Sequence, residues 1–212
     1  MHEIIVETVE QEKTPEFRRW FKGSVTVNKG RPLTFHHGTT MGGFTVFRPH
    51  IRKLEQLGFG MHFAVDPEFA AKYAHDKTVA RKGKNPHVYA VYLCIKKPLI
   101  ANAIVCAGTP EFDLAKKLAG RKLYTSKNED GIPCAYMQLA IDCTSQDRAE
   151  KLIRDAGYDG IQYMSKMATP TGYGTMQKTG ESLSWVVFSP NQIKSAVDND
   201  GSFDIDDPDI KS

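Results

Sequence analysis

The hydrophobic and polar positions along the chain predict more strands than helices. Segments dense in β-branched and aromatic residues, which are typical of strands, lie at 25–27, 33–37, 61–64, 87–95, 161–164 and 184–188. Apolar residues at helical spacing occur at 17–21, 67–75, 111–119 and 145–156. The helices fall between strands whose order favours antiparallel pairing. We therefore expect an α+β fold with two packed, mostly antiparallel sheets and peripheral helices.

The remaining segments predict one domain followed by a tail. Residues 165–180 are rich in Thr, Gly, Lys and Met, and we expect a long loop there, before the last strand. Neither an internal repeat nor a linker is evident, so residues 1–197 are interpreted as a single domain. Residues 198–212 are acidic and poor in apolar residues, and we expect them to be disordered or loosely docked.

The charge of the chain is unevenly distributed. Of its 28 basic and 25 acidic residues, residues 198–212 hold one lysine and six aspartates, which leaves residues 1–197 with a net charge of +8. A body this basic favours anionic partners such as a dinucleotide or a nucleic acid. A solvated basic surface with an acidic tail explains the same numbers equally well.

Other classes of site and location have little support in the sequence. The four cysteines (Cys94, Cys106, Cys134 and Cys143) include no CxxC pair or zinc-like spacing. We expect neither a metal site nor a structural disulfide, and Cys94 is predicted to be a buried thiol. Because the N-terminus lacks a signal-like apolar stretch and no segment is long and apolar enough for a membrane span, we expect a cytoplasmic protein, in the host or in a target cell.

The most specific chemistry lies in His37-Gly38-Thr39, at the end of a predicted strand. About twenty residues later, Gly58 to Ala64 leads into a helix that carries Tyr73. A strand ending in His-Gly-Thr offers an imidazole beside an unhindered backbone edge, since glycine has no Cβ. A planar amide could pair with that edge while an aromatic ring covers its face, which suits nicotinamide. Motifs typical of Rossmann, P-loop, zincin and α/β-hydrolase proteins are absent from the sequence.

These segments resemble the ADP-ribosyltransferases of the diphtheria-toxin and poly(ADP-ribose) polymerase type. The resemblance is closest to the small bacterial and phage members found in polyvalent proteins and toxins. It rests on His37 to Thr39, Gly58 to Ala64 with Tyr73, Gly157 to Ile161, Trp185 to Phe188, and Asn191 to Ala196. Each motif is weak by itself, and their order along the chain makes the set specific.

The resemblance implies that NAD is the substrate and that the two sheets form a split NAD-binding cleft. The implied cofactor-binding residues are His37, Gly38, Thr39, His62, Phe63 and Tyr73. In this family Gly38 would pair its backbone with the nicotinamide carboxamide, and His37 would bind the adenosine ribose. Tyr73 would stack on the nicotinamide ring. His62 stands where the eukaryotic enzymes have a second tyrosine, and its flat imidazole could still cover a ring. Without the resemblance, His37 fits a structural strand-end histidine and Tyr73 fits a core residue.

The sequence departs from the family at its glutamate, whose position is Ser184 here. In the family that carboxylate binds the ribose 2′-hydroxyl and stabilises the oxocarbenium character that develops as the bond to nicotinamide breaks. Three alternatives follow. Glu181 reaches in from the end of the loop, which we favour, or Ser184 binds the hydroxyl without supplying charge, or the site is inactive. The candidate catalytic residues are therefore Glu181, Ser184 and His37.

The family also implies the second substrate, a macromolecule that accepts the ADP-ribose. Tyr173 lies between two glycines of the 165–180 loop and is the candidate for acceptor recognition, although an ordinary loop tip has equal support. We expect mono-ADP-ribosyl transfer to a protein side chain or a nucleic-acid base by a bacterial or phage toxin or effector, with an antitoxin or inhibitor as a further partner. The alternatives are an inactive NAD-binding or interaction module of the same fold and an NAD glycohydrolase.

Overall fold

The structure is a computed structural model that describes residues 11–49, 57–81, 85–170 and 176–212. Five α-helices lie in this part of the chain: α1 (Pro15–Trp20), α2 (Pro67–Arg81), α3 (Pro110–Ala119), α4 (Met137–Asp142) and α5 (Gln146–Asp155). The strands up to the middle of the chain are β1 (Val27–Asn28), β2 (Arg31–Pro32), β3 (Phe35–Thr39), β4 (Met61–Ala64), β5 (His87–Leu93), β6 (Pro98–Ile100) and β7 (Ile104–Cys106). They are followed by β8 (Ser126–Lys127), β9 (Pro133–Tyr136), β10 (Gly160–Pro170), β11 (Met176–Val187) and β12 (Ile193–Ser195).

Three of the helices begin with the same local signal, a capping residue followed by Pro-Glu-Phe. Thr14 and Thr109 each accept a hydrogen bond from the backbone N–H three residues on, at 3.2 Å in both cases. Asp66 accepts one from the N–H of Glu68 at 2.9 Å. The proline at the first helical position loses no hydrogen bond, because that N–H has no partner inside the helix. These short signals fix the start of α1, α2 and α3 from the sequence itself.

The α+β class is confirmed, and the strands pair as one large and two small sheets. The seven-stranded sheet has the order β12-β5-β3-β4-β11-β10-β6, the second has the order β7-β9-β8, and β1 pairs with β2. Every described pairing between named strands is antiparallel except that of β10 with β6. Where the sequence predicted two packed sheets, the large sheet consists of two halves, β12-β5-β3 and β4-β11-β10-β6, that meet edge to edge.

The expectation of a long loop over 165–180 is wrong for most of that segment. β10 continues to Pro170 and β11 begins at Met176, so the two strands form a long hairpin whose register shifts between Met167 and Ala168. The sequence alone predicts a loop here, because the residues are polar and the glycines are typical of turns. Polar residues also occur in antiparallel strands, because one face of such a sheet can be solvated.

The two faces of the large sheet cover separate cores. Val186 and Phe188 belong to a core shared with α3, α4 and α5. Trp185 and Val187 belong to a second core on the opposite face. This division follows from the alternation of side chains along β11. A consequence is that two β11 residues an odd number of positions apart face opposite sides of the molecule.

The prediction that residues 198–212 are disordered or loosely docked is wrong. Phe203 is 1% exposed and Ile210 is 2% exposed. Lys194 is fully buried, and its Nζ donates to the carbonyls of Asp207 and Asp209, each at 2.9 Å. Burial lowers the pKa of Lys194, and the surrounding aspartates oppose that shift. A few apolar anchors and one buried ammonium are therefore enough to dock an otherwise acidic segment.

The expectation of no structural disulfide is also wrong, since Cys106 and Cys134 are joined. The antiparallel pairing of β7 with β9 places these two residues directly opposite each other, a relation that their separation of 28 residues did not reveal. Cys94 is a buried free thiol, as predicted, and burial raises its pKa to about 11. Among the described residues, no helix is long and apolar enough to cross a bilayer.

Candidate active site

The candidate site lies where the two halves of the large sheet separate. β3 pairs with β5 from Phe35 to Thr39, whereas its described pairing with β4 is limited to His36 opposite Ala64. β4 in turn pairs along its length with β11. Past the His36–Ala64 pair, β3 and β4 therefore diverge and leave a split, at the point where the sequence reads His37-Gly38-Thr39.

The backbone of Gly38 faces this split. The N–H of Val65 donates to the carbonyl of Leu183 at 3.0 Å, so the backbone of Val65 faces β11. Because successive backbone groups point to opposite edges of a strand, those of Ala64 and His62 face β3. His36 meets Ala64 across that edge, and by the same alternation Gly38 directs its N–H and carbonyl towards the split. A ligand in the split would meet one donor and one acceptor on a single residue.

The side chain of His37 makes the hydrogen bond to β4 that the backbone of Gly38 would make if the two strands stayed paired. Its Nδ1 donates to the carbonyl of His62 at 2.7 Å. Its ring lies on the core side, edge to face with Phe47 at 5.1 Å and 5.5 Å from Phe63. Phe63 is only 1% exposed. The structure thus places Phe63 behind His37 in the core, which does not favour the predicted contact between Phe63 and NAD.

Helix α2 crosses directly over Gly38. A Cβ at this position would lie 2.0 Å from the carbonyl oxygen of Ala70 and 3.1 Å from the amide nitrogen of Ala74. Glycine is therefore required for the helix to pack on β3. The sequence interpretation assigned the missing Cβ to a ligand's close approach, and the structure gives that space to the helix. The backbone edge of Gly38 is what the split leaves for a ligand.

Tyr73 is carried to the same place by α2. It lies between Ala70 and Ala74, the two residues that contact Gly38, and it is half-buried. One turn earlier, Phe69 lies near Gly180 of β11, since a Cβ there would be 3.6 Å from its ring. Residues four apart share a helix face, so Tyr73 lies on the side that faces β11. Helix α2 therefore spans the split from β3 to β11, and it brings Tyr73 to the same side of the sheet as the backbone edge of Gly38.

His62 is fixed by both of its ring nitrogens. Nε2 donates to the carbonyl of Phe59 at 3.0 Å, and Nδ1 is 2.8 Å from the hydroxyl of Tyr163. The rings of His62 and Tyr163 are perpendicular, with centroids 5.8 Å apart. Tyr163 was not among the predicted site residues. It lies in β10. The sequence marks it only as a tyrosine in a predicted strand, just after the Gly157 to Ile161 motif.

Ser184 occupies the family's glutamate position at the centre of this face. It is 2% exposed and lies opposite Ala64 on one side and Tyr163 on the other. Its hydroxyl donates to the carbonyl of Ser182 at 3.2 Å. His62 lies opposite Val186, and Val186 is two residues from Ser184 along β11. Because residues two apart share a face, His62 and Ser184 are on the same face of the sheet.

Glu181 is on the face of β11 opposite to Ser184, a position that does not favour the prediction that it reaches into the site. The register runs without a break from Lys166 opposite Glu181 to Tyr163 opposite Ser184. Three positions separate Glu181 from Ser184, so their side chains point to opposite sides. The prediction depended on a loop at 181, and β11 begins five residues earlier, at Met176.

A different carboxylate lies near the site face, that of Asp66. Its N–H donates to the hydroxyl of Ser182 at 3.3 Å, and its Oδ1 caps α2. Burial lowers the pKa of His36, while the charge of Asp66 and the carbonyl of Val65 partly oppose the shift. The histidine that faces α2 is therefore disposed to be neutral.

Of the remaining predicted residues, Thr39 lies at the end of β3 beside the split, and Tyr173 does not belong to the described part of the chain. Thr39 ends β3 and turns the chain, because its Oγ1 accepts from the N–H of Met41 at 3.3 Å. The hydroxyl of Tyr89 accepts from the N–H groups of Gly43 and Phe44 at 2.9 and 3.0 Å and so fixes the loop that follows. No group of three or more His, Cys, Asp or Glu suited to a metal occurs within the described ranges.

Comparison with known proteins agrees with this geometry. A family model described as "ADP-Ribosyltransferase in polyvalent proteins" matches residues 28–203. The chain belongs to this family of ADP-ribosyltransferases. The match covers the split, α2, the β10–β11 hairpin and part of the docked C-terminal segment. Neither the curated proteins nor the solved structures contain a match. Membership supports an ADP-ribosylation reaction for this ADP-ribosyltransferase domain and leaves its site residues to be assigned from the structure.

Proposed function

We propose that the chain is an NAD-dependent mono-ADP-ribosyltransferase that binds the nicotinamide half of NAD in the split between β3 and β4. The observation that carries the proposal is the backbone edge of Gly38, a buried residue beneath α2 whose N–H and carbonyl face the split rather than a paired strand. A primary carboxamide has one acceptor and two donors, and the N–H and carbonyl of one residue match it. Tyr73 would stack on the nicotinamide ring, and His37 with Thr39 would bind the adenosine end.

The reaction breaks the glycosidic bond between ribose C1′ and nicotinamide N1. The bonding electron pair passes to N1, which neutralises the pyridinium, and C1′ takes on oxocarbenium character. A nucleophile of the acceptor then bonds to C1′, and its proton leaves to solvent or to a nearby base. Ser184 can bind the ribose 2′-hydroxyl, but a neutral hydroxyl stabilises the cation less than a carboxylate does. We therefore expect slow turnover.

The acceptor is proposed to be macromolecular, either a protein side chain or a nucleic-acid base. With the acidic residues 198–212 docked, the net charge of the chain is +3, which gives only weak support to an anionic acceptor such as nucleic acid. Membership of a polyvalent-protein family is consistent with a phage or bacterial effector that acts in the cytoplasm of a target cell, where an antitoxin or inhibitor could restrain it.

The test uses the full chain with radiolabelled NAD and a cell lysate, whose protein and RNA fractions are analysed separately. Nicotinamide release is measured in parallel. Label in either fraction supports transfer, and label in neither, with nicotinamide still released, identifies an NAD glycohydrolase. Gly38→Ala is unsuitable as an inactive control because it would disturb α2, so Tyr73→Ala is the better choice. It removes the stacking ring at a half-buried position.

A second candidate is favoured by Ser184, namely a module that binds NAD without turning it over. Its burial and its hydrogen bond to Ser182 show a position adapted to a small neutral side chain. Calorimetry with NAD distinguishes the candidates. Binding without nicotinamide release over hours would favour the module, and release at any rate that Tyr73→Ala abolishes would favour the enzyme.

A further inference from the structure

The hydrogen bonds of His62 determine what its ring can do. The carbonyl of Phe59 can only accept, so Nε2 of His62 carries the proton of that bond. In the neutral ring Nδ1 is then the acceptor, and the hydroxyl of Tyr163 is the donor. With both nitrogens engaged by protein groups, the ring cannot take a proton from a substrate without losing a hydrogen bond. It can offer a flat face.

Tyr163 is built into the core rather than into the split. It is 4% exposed and belongs to the core shared with α3, α4 and α5. Its place opposite Ser184 nevertheless puts it on the same face as His62. Its hydroxyl thus connects the core to the ring, and any effect on a ligand in the split would pass through His62.

We propose that Tyr163 is a positioning residue that holds the His62 imidazole neutral, in its Nε2–H tautomer, and orients its face towards the nicotinamide of NAD. This inference rests on the proposed function, since it needs nicotinamide in the split. A neutral ring suits the task because the nicotinamide of NAD is a cation, which an imidazolium would repel. A charged ring would also require the Tyr163 hydroxyl to accept instead of donate.

The test is Tyr163→Phe, which removes the hydroxyl and keeps the ring in the core. The dissociation constants for NAD and for nicotinamide alone are measured by calorimetry on the full chain. We expect both to rise about five-fold, the effect of one ordinary hydrogen bond, with turnover at saturating NAD changed less than two-fold. Tyr158→Phe is the matched control, because Tyr158 is 8% exposed, lies in the same core and donates its hydroxyl to Glu111 at 2.9 Å.

A double-mutant cycle with His62→Phe separates positioning from mere packing. If Tyr163 acts through His62, then Tyr163→Phe has no further effect on affinity once residue 62 is phenylalanine. The nitrogen-15 shift of His62 Nδ1 gives an independent readout, and in Tyr163→Phe it should move towards the value of a free lone pair. An unchanged shift, equal affinities in wild type and Tyr163→Phe, or the same loss in both backgrounds would overturn the inference. A wild-type chain that binds neither NAD nor nicotinamide would overturn the proposed function together with it.

Discussion

Exchanging the side chain at position 184 tests how this site stabilises positive charge. We expect Ser184→Glu to accelerate nicotinamide release and Glu181→Ala to leave it within about two-fold of wild type, a surface-type effect. The reason is the alternation of side chains along β11. It places residue 184 on the face shared with His62 and Tyr163, and residue 181 on the other face. Under the proposed function, only a carboxylate on the first of these faces would act on the bound ribose.

The size of the gain follows from the charge that a glutamate would add. A carboxylate about 5 Å from the developing cation contributes about 3 kcal/mol at an effective dielectric constant of 20. Half of that value still accelerates the reaction about ten-fold. Ser184 is buried opposite Ala64 of β4, so a longer side chain has to displace its neighbours. The insertion into a buried position should reduce stability by about 1–3 kcal/mol.

The assay is single-turnover nicotinamide release with excess enzyme, and thermal denaturation checks that each variant is folded. Ser184→Gln is the matched control, because it has nearly the same size and shape as glutamate without the charge. The electrostatic argument fails if Ser184→Gln gains as much as Ser184→Glu. The assignment of faces fails if Glu181→Ala slows release ten-fold or more.

Three further predictions concern the structure around the split and the C-terminal segment. Gly38→Ala should destabilise the protein by at least about 3 kcal/mol by separating α2 from β3, whereas Gly180→Ala, with 3.6 Å to its nearest neighbour, should stay within about 1 kcal/mol of wild type in urea denaturation. Burial lowers the pKa of His36, so the unfolded chain binds the proton first. The free energy of unfolding should therefore decrease as pH falls below about 6.5, and His36→Asn should flatten that slope between pH 5 and 8. Phe203→Ala should cost about 3–5 kcal/mol, while Ile205→Ala, at a side chain that is 50% exposed, should cost less than about 1 kcal/mol; equal losses would show that residues 198–212 do not dock as described.

Local signals in the sequence predicted most of what surrounds the split. The apolar strand at 87–95, the cap Asp66-Pro67-Glu68 and the run Met61 to Ala64 all form the elements expected of them. Each depends on neighbouring residues and on burial of one face, which the sequence states directly. The association of the His37-Gly38 edge with the Tyr73 helix was predicted through the family's motif order, and in the structure the tight packing of α2 on Gly38 brings it about.

The side to which Glu181 points could not be predicted, because it depends on where β11 begins. With residues 165–180 treated as a loop, a carboxylate at 181 is free to turn either way. Once β11 begins at Met176, the pleat fixes its direction. The contact of Tyr163 with His62 and the Cys106–Cys134 bond were missed for a related reason. Both join strands whose register is set by long-range pairing.

Two of the family-like motifs turn out to join parts of the fold. The carboxylate of Asp159 accepts from the N–H groups of Lys96 and Lys97, each at 2.8 Å, where the chain leaves β5. The side-chain amide of Gln192 donates to the carbonyls of Cys94 and Asp159 at 3.2 and 2.9 Å. The motifs Gly157 to Ile161 and Asn191 to Ala196 therefore connect the ends of the same strands, and their presence indicates the fold rather than the reaction.

The departures from the family pattern, by contrast, lie together on the face that would meet the substrate. His62 replaces an aromatic ring and Ser184 replaces the carboxylate, and Tyr163 contacts the first and lies opposite the second. The motifs that connect the strands and the residues on the proposed substrate face are thus separate sets of residues. A resemblance built largely on the first set supports the architecture strongly and the rate of catalysis weakly. Under the proposed function, the face that carries His62, Tyr163 and Ser184 would have to stabilise an oxocarbenium ion without a carboxylate.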